Sequence, residues 1–143
     1  MEQGRKAVPV GQIEEWARSR LGLERLRPGQ LEAVRSVLDG HDTLAVFRSG
    51  YGKSAIYQVA GGLIAGPTVV VSPLIALQRD QTTALQATAE EAPADLGEAD
   101  LLNSTLPPSQ QDAILERVGR GDLEYLFLSP EQLAREEVLA QLR

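Results

Sequence analysis

The stretch Phe47-Arg-Ser-Gly-Tyr-Gly-Lys-Ser54 decides the fold, because it lies between two segments of opposite character. The run that leads into it, Thr43-Leu-Ala-Val-Phe47, is short and apolar and predicts a buried β-strand. The residues that follow, from Ser54 to about Ala65, predict a helix. A strand, a glycine-rich turn and a helix in this order are typical of a phosphate-binding loop.

The residue types in this loop have separate roles in holding phosphate. Gly50 and Gly52 adopt backbone angles that other residues resist, and they leave no side chain in the way of an anion. Successive backbone N–H groups can then surround phosphate oxygens, and the helix N-terminus favours negative charge. Lys53 adds a positive charge for the β- and γ-phosphates, and the Ser54 hydroxyl is placed to ligate Mg²⁺. The sequence therefore predicts a site for ATP and Mg²⁺, with Lys53 and Ser54 as its catalytic residues and Ser54 as its metal ligand. The cofactor-binding residues of the loop are Ser49, Gly50, Tyr51, Gly52, Lys53 and Ser54.

The loop departs at one position from the general pattern Gly-x-x-x-x-Gly-Lys-Ser/Thr. The first glycine of that pattern falls at position 47, where this chain has Phe47. The shorter pattern Ser/Thr-Gly-x-Gly-Lys-Ser/Thr, which many helicases keep, is satisfied from Ser49 to Ser54. The plain alternative is a chance glycine turn before a helix. Average composition produces Gly-x-Gly-Lys-Ser/Thr by accident in well under about 1% of chains of this length.

Composition excludes several other classes of site. The 143 residues are 43% hydrophobic and 24% charged, as expected for one globular domain. There is no cysteine, which excludes disulfides and thiolate metal sites, and the single histidine, His41, argues against a His-based metal cluster or a Ser-His-Asp triad. No apolar run approaches the length of a membrane span, and Met1 to Pro9 lacks the apolar stretch of a secretory signal. We therefore expect a soluble, cytoplasmic protein.

Charge is unevenly spread along the chain, whose net charge is −6. Residues 1–85 carry ten Lys/Arg and eight Asp/Glu, whereas residues 86–143 carry four and twelve. A nucleic-acid partner would therefore need a local site, because the overall charge does not attract it.

Strand and helix patterns alternate along the rest of the chain. We predict strands over Thr68–Ser72, Ala99–Asn103 and Leu123–Leu128, in addition to the strand before the loop. Predicted helices cover residues 10–21, 28–40, 54–65, 109–118, a segment opened by Pro73 and a last one from Pro130 to the terminus, with a surface loop within 86–98. This alternation predicts an α/β fold with a parallel sheet and helices on both faces.

Several further segments resemble the motifs of RecQ-type ATP-dependent DNA helicases of superfamily 2, in the same order along the chain. Leu26-Arg-Pro-Gly-Gln30 resembles the Phe-Arg-x-x-Gln element of that family, and Gly50-Tyr-Gly-Lys-Ser-Ala-Ile-Tyr-Gln58 resembles its motif I. Val70-Val-Ser-Pro-Leu-Ile-Ala-Leu-Gln-Arg-Asp-Gln81 is similar to motif Ia. Leu102-Asn-Ser-Thr105 and Leu126-Phe-Leu-Ser-Pro-Glu-Gln-Leu133 resemble the next two blocks.

The resemblance implies the N-terminal part of the first RecA-like motor domain, which is a three-layer P-loop parallel sheet flanked by helices, here truncated. It divides the chain into an N-terminal helical extension over residues 1–22 and a partial ATP-binding domain over residues 23–143. It also implies that Arg27 and Gln30 contact adenine, although Gln30 could equally be a solvated helix residue. Single-stranded or forked DNA is the implied partner. The implied DNA-binding residues are Ser72, Pro73, Gln78, Asn103 and Ser104.

Hydrolysis in this family needs an Asp-Glu-x-His motif and a second motor domain. The sequence has no Asp-Glu dipeptide, and its one histidine precedes the loop. We therefore expect the isolated chain to bind ATP weakly, to hydrolyse it poorly and not to unwind DNA. The leading hypothesis is the ATP- and DNA-binding portion of a RecQ-type helicase. The alternative is a stand-alone nucleotide-binding or regulatory module without catalysis. A small phosphotransferase is a third reading, against which the acidic residues 86–143 argue.

Overall fold

Helices form the first of two units, which meet in sequence at Ala65 and Gly66. The computed structural model describes residues 7–91 and 98–143, without the side chains of residues 75, 76, 78 and 87–91. In the first unit, helix α1 spans Val10–Leu21, α2 spans Gln30–Leu38 and α3 spans Ser54–Leu63. None of the helices in the described ranges is long and apolar enough to cross a membrane.

One core holds the helices of the first unit together. Ile13 and Ala17, one turn apart on α1, are fully buried with Val34 of α2 and Val59 of α3. Apolar residues three and four apart share one face of a helix, which is why the predicted periodicity buries this face. The indole of Trp16 lies so close to α3 that a Cβ at position 62 would be 1.9 Å from it, and only glycine leaves that space.

The predicted strand Thr43–Phe47 is wrong: this segment has no regular secondary structure. Leu44 and Val46 are 91% and 80% exposed, whereas Ala45 and Phe47 pack against the core. The alternation suits a half-buried strand, but a strand also needs a neighbour with free backbone groups. No other strand lies among the described residues of the first unit, so the apolar pattern has nothing there to pair with.

A parallel sheet is the centre of the second unit. Strand β1 spans Thr68–Val71, β2 spans Glu98–Leu102 and β3 spans Leu123–Leu128, and their order in the sheet is β1-β3-β2. The register pairs Val71 with Leu128 and Leu102 with the same Leu128, so the three strands end at one edge. The predicted strands and the α/β fold class are confirmed.

Helices cover both faces of this sheet. Helix α4 spans Ile75–Glu91, and α5 spans Pro108–Arg120. Leu126 and Leu128 of β3 pack in one cluster with Ile114 of α5 and Val138 near the C-terminus. Side chains alternate along a strand, so Tyr125 and Phe127 face the other way; they are fully buried too, and α4 packs against β2 and β3.

The helix boundaries lie within two residues of the predicted ones, except in the last helix. The helix expected from Pro73 begins at Ile75 and continues to Glu91, within residues 86–98, where a helix tail and a surface loop were expected. The rest of that loop, residues 92–97, lies outside the described residues. The last helix is divided into α6, Pro130–Leu133, and α7, Glu136–Leu142. Arg135 lies at the break with an extended backbone (φ −76°, ψ 133°), and its guanidinium donates to Gln111 Oε1 over 2.8 Å. That bond to a distant helix favours the break, and local sequence does not reveal it.

Candidate nucleotide-binding site

The phosphate loop has the backbone shape that its glycines predict. Gly50 and Gly52 have φ values of 75° and 92°, in the left-handed region that side chains resist. The Tyr51 N–H between them donates to the Arg48 carbonyl over 3.2 Å and closes a turn. Helix α3 then starts at Ser54, and its first internal bond from the loop runs from the Ala55 N–H to the Gly52 carbonyl. The N–H groups that precede Ala55 at this helix end are the ones available to an anion.

Lys53 reaches back across the loop. Its Nζ donates to the backbone carbonyl of Phe47 over 3.3 Å, so the ammonium group closes the loop upon itself. The acceptor is a backbone carbonyl, which every residue has. Phe47 therefore supplies it as well as a glycine at position 47 of the general pattern would. The Phe47 ring is turned aside and stacks on Tyr51, with centroids 5.0 Å apart and planes 5° apart. The departure from the pattern at position 47 therefore does not obstruct the loop.

The segment Arg27–Gln30, the base segment, lies directly against the phosphate loop. The Gln30 side chain is only 4% exposed, and its Nε2 donates to the carbonyls of Gly52 (2.8 Å) and Tyr51 (3.3 Å). Its Oε1 accepts the Arg27 N–H over 2.7 Å, and Arg27 Nη1 donates to the Tyr51 carbonyl over 3.1 Å. The structure thus brings together residues that are more than 20 positions apart and that the sequence assigned to one site.

The Tyr51 side chain takes part in these contacts in a way that sequence reasoning missed. Its hydroxyl donates to the Pro28 carbonyl over 2.8 Å. The guanidinium carbons of Arg27 and Arg48 lie 5.3 Å and 5.9 Å from its ring centroid, within the range of cation–π attraction. The only signal in the sequence was an aromatic residue between two glycines, which does not reveal a partner.

Positive charge surrounds the loop. Arg27, Arg48 and Lys53 are all exposed there, and the nearby carboxylate of Glu32 accepts the Gly29 N–H over 2.7 Å. On α3, burial raises the pKa of the Tyr57 phenol to about 12, against a smaller lowering by its hydrogen bond to Gln58. Tyr57 is therefore neutral at physiological pH and brings no negative charge to the site.

The predicted DNA-binding residues follow the strands of the second unit. Ser72 comes after β1 and Asn103 after β2, so both lie at the carboxyl edge of the parallel sheet. Pro73 and Ser104 are exposed at this edge, whereas the Gln78 side chain lies outside the described residues. The Ser72 N–H donates to the Leu128 carbonyl over 3.0 Å, and its hydroxyl accepts the Leu74 N–H over 3.3 Å. Ligands of open parallel sheets bind outside this edge, which makes it the natural place for a partner.

Asn103 is the exception among them, because it is buried, with 1% of its surface exposed. Its Oδ1 accepts the Thr105 N–H over 2.8 Å and also the Thr105 hydroxyl. The structure gives Asn103 a role in shaping its own turn. Two further side chains at this edge take part in hydrogen bonds: Arg79, which lies in the segment that resembles motif Ia, and Ser129, which was not singled out from the sequence. Arg79 donates to the Thr105 hydroxyl over 3.4 Å, and the Ser129 hydroxyl after β3 accepts the Gln132 N–H over 3.3 Å.

Comparison with known proteins agrees with this architecture. The family model described as DEAD/DEAH box helicase matches residues 27–142, which include the base segment, the phosphate loop and the whole sheet. The chain belongs to the DEAD/DEAH box helicase family.

Individual relatives narrow the class further. The chain is 38% identical over 116 residues to the ATP-dependent DNA helicase RecQ of Haemophilus influenzae, a match over 81% of this chain and 18% of the relative. It is 36% identical over 122 residues to the probable ATP-dependent DNA helicase RecS of Bacillus subtilis, covering 85% of this chain and 23% of the relative. It is 36% identical over 112 residues to the RecQ helicase of Pasteurella multocida, covering 78% and 17%. The resemblance to RecQ-type helicases is confirmed, and the chain spans about a fifth of the length of these relatives.

Proposed function

We propose that this chain binds Mg²⁺-ATP at the loop Ser49–Ser54 and single-stranded DNA at the carboxyl edge of its sheet. It does so as the ATP- and DNA-binding portion of a RecQ-type helicase, which in its full length unwinds DNA at the expense of ATP. The observation that carries the proposal is the phosphate loop, in which two glycines of positive φ precede Lys53 and the start of α3.

The loop would hold the polyphosphate through its backbone. Gly50 and Gly52 leave room for an anion near the chain, and a Cβ at position 50 would meet no atom within 4 Å. The N–H groups at the start of α3 and the Lys53 ammonium point to negative charge as the ligand chemistry. Lys53 would exchange its bond to the Phe47 carbonyl for a stronger, charge-assisted bond to phosphate.

Ser54 is the residue that would hold Mg²⁺, through its hydroxyl. It stands on the first residue of α3 and is partly exposed, directly after Lys53. A hydroxyl is among the oxygen ligands that Mg²⁺ accepts beside water and substrate phosphates. Held by Ser54, the ion would supply positive charge that offsets the negative charge of the phosphates.

Arg27 and Gln30 would contact the adenine. Both N–H groups of the Gln30 amide already have acceptors in the loop, Gly52 and Tyr51. Its Oε1 accepts one bond, from Arg27 N, and a carbonyl oxygen has a second lone pair. That lone pair can accept a hydrogen bond from the 6-amino group of adenine without breaking the bonds that hold the loop.

The nucleotide proposal is tested by titrating the chain with Mg²⁺-ATP in a calorimeter. Lys53→Ala should weaken binding by about a hundredfold, because it removes a charge-assisted bond to phosphate. Lys6→Ala is the matched control, since these are the two lysines of the chain, and it should bind as the parent does. Equal affinity of Lys53→Ala and the parent would contradict the role given to Lys53.

The DNA proposal rests on the carboxyl edge, where Ser72 follows β1 and Arg79 donates to the hydroxyl of Thr105. Hydroxyls and guanidinium groups are common contacts of the phosphate backbone. Ser72, Pro73, Gln78 and Ser104 would line the DNA track, and Asn103 would hold its turn in place.

Fluorescence anisotropy with labelled single-stranded DNA at two salt concentrations tests this edge. Arg79→Ala should weaken binding and reduce the salt slope by about one. Arg18→Ala, which removes another exposed arginine, paired with Glu15 on α1, is the control and should change neither. A parent chain that binds no DNA even at low salt would leave only the nucleotide half of the proposal.

A further inference from the structure

Tyr51 occupies the variable position of the phosphate loop, and its side chain makes a bond that phosphate binding does not require. Its hydroxyl donates to the Pro28 carbonyl over 2.8 Å, across a sequence separation of 23 residues. The ring is held at the same time by the parallel stack on Phe47. A side chain fixed at both its ring and its hydroxyl connects the loop to the base segment.

Two glycines allow these segments to approach closely. A Cβ at position 29 would lie 2.7 Å from the Phe47 ring, and a Cβ at position 52 would lie 2.8 Å from Gln30 Nε2. The base segment and the loop are therefore in direct contact, at van der Waals and hydrogen-bond distances. Hydrogen bonds run in both directions between the two segments and link their positions.

We propose that Tyr51 is a positioning residue that couples recognition of the base to the grip on the phosphates. The inference rests on the proposed nucleotide site. A base in contact with Arg27 and Gln30 restricts the base segment, and the bond from Tyr51 to Pro28 passes that restriction to the loop. A polyphosphate without a base gains nothing from it. The energetic link between base and phosphate subsites is a coupling free energy, and the Tyr51 hydroxyl supplies part of it.

The test compares Mg²⁺-ATP with Mg²⁺-tripolyphosphate, which has the phosphates and lacks the base. Calorimetric titration of Tyr51→Phe should show ATP binding about fivefold weaker than in the parent, the ordinary value of one hydrogen bond. Binding of tripolyphosphate should change by less than about twofold. Tyr57→Phe is the matched control. It removes a tyrosine hydroxyl from α3, just after the loop, and should leave both affinities unchanged.

A double-mutant cycle supplies the second readout. Arg27→Ala removes one of the two proposed base contacts, so the preference for ATP over tripolyphosphate should fall in that variant as well. If Arg27 and Tyr51 act through one coupling, the double variant loses less than the sum of the two single losses.

Each outcome has a distinct meaning. Equal losses for ATP and tripolyphosphate in Tyr51→Phe would show that the hydroxyl only shapes the loop, and they would overturn the coupling. Unchanged ATP affinity, or strict additivity with Arg27→Ala, would overturn it too. A parent chain that binds neither ligand would overturn the proposed nucleotide site instead.

Discussion

The phosphate loop and the carboxyl edge of the sheet both present short polar segments, yet they use their polar groups differently. Around the loop, the side chains of Gln30, Arg27 and Lys53 donate to backbone carbonyls of the loop. At the edge, Asn103 and Ser129 instead accept N–H groups of their own turns. At the loop, the side chains use backbone carbonyls, so the backbone N–H groups at the start of α3 remain available to a ligand. At the edge, the side-chain oxygens of Asn103 and Ser129 are used to shape local turns.

The difference bears on how a site is inferred from a motif. A glycine-lysine loop encodes a backbone shape, so its residues are found where the motif places them. An asparagine after a strand serves a turn as readily as a ligand, since a short polar side chain bonds easily to nearby backbone groups. Three changes would break or sharpen this contrast.

The largest effect is expected for Asn103→Ala. It removes the acceptor of the Thr105 N–H from a position that is 1% exposed, and it should lower the free energy of unfolding by about 2 kcal/mol. Ser104→Ala, one residue further on and exposed, should stay within about 0.5 kcal/mol of the parent. Urea unfolding followed by circular dichroism measures both. A small effect at position 103 would mean that the side chain is available for DNA after all.

The second change compares the two glycines of the loop. Gly50→Ala and Gly52→Ala both force a side chain into the left-handed region, at a cost of about 1 kcal/mol. Only at position 52 would the new Cβ also meet a neighbour, Gln30 Nε2 at 2.8 Å. Gly52→Ala should therefore weaken ATP binding about tenfold more than Gly50→Ala in the same titration. Equal losses would show that the close approach of Gln30 is unimportant.

The smallest effect concerns Glu124 on β3, whose Oε1 is buried without a hydrogen-bond partner among the described residues. Burial raises the pKa of this carboxyl above its ordinary value. The folded protein then binds the proton more tightly than the unfolded chain, so stability falls as pH rises from the ordinary pKa through the raised one. Glu124→Gln has no such charge and should be slightly more stable than the parent at neutral pH.

The same variant separates this explanation from a simple packing effect. The difference in melting temperature between Glu124→Gln and the parent should shrink towards acid pH, where both side chains are uncharged. A difference that persists or grows in acid would contradict the burial of a charge as its cause.

Local pattern was sufficient for most of the fold. Thr68–Val71 and Leu123–Leu128 are β-branched or apolar runs bounded by turn residues, and both form strands. The segment 43–47 has a similar pattern and is not a strand, because pairing depends on a partner that the segment itself does not specify. Arg135, at the break between α6 and α7, likewise bonds to Gln111, 24 residues away.

The residues of the candidate site could likewise be predicted from the sequence, but the contacts between them could not. Spacing alone predicts Lys53 and Ser54 as the contacts of phosphate and Mg²⁺, because the chemistry of phosphate requires them at one place in the loop. Arg27 and Gln30 are predicted only through the resemblance. The sequence could not reveal that Gln30 holds the loop with its amide or that Tyr51 is bonded to Pro28, since such contacts join residues distant in sequence.

The irregular segment 43–47 has a practical consequence for work with this chain. Leu44 and Val46 present apolar side chains to solvent on a stretch that has no sheet partner within residues 7–91 and 98–143. Such stretches are templates for pairing between molecules and thus for aggregation. The charged residues Asp42 and Arg48 lie immediately on either side, where gatekeepers against self-association are commonly found. Neutralising either of them would make concentrated preparations more prone to precipitate.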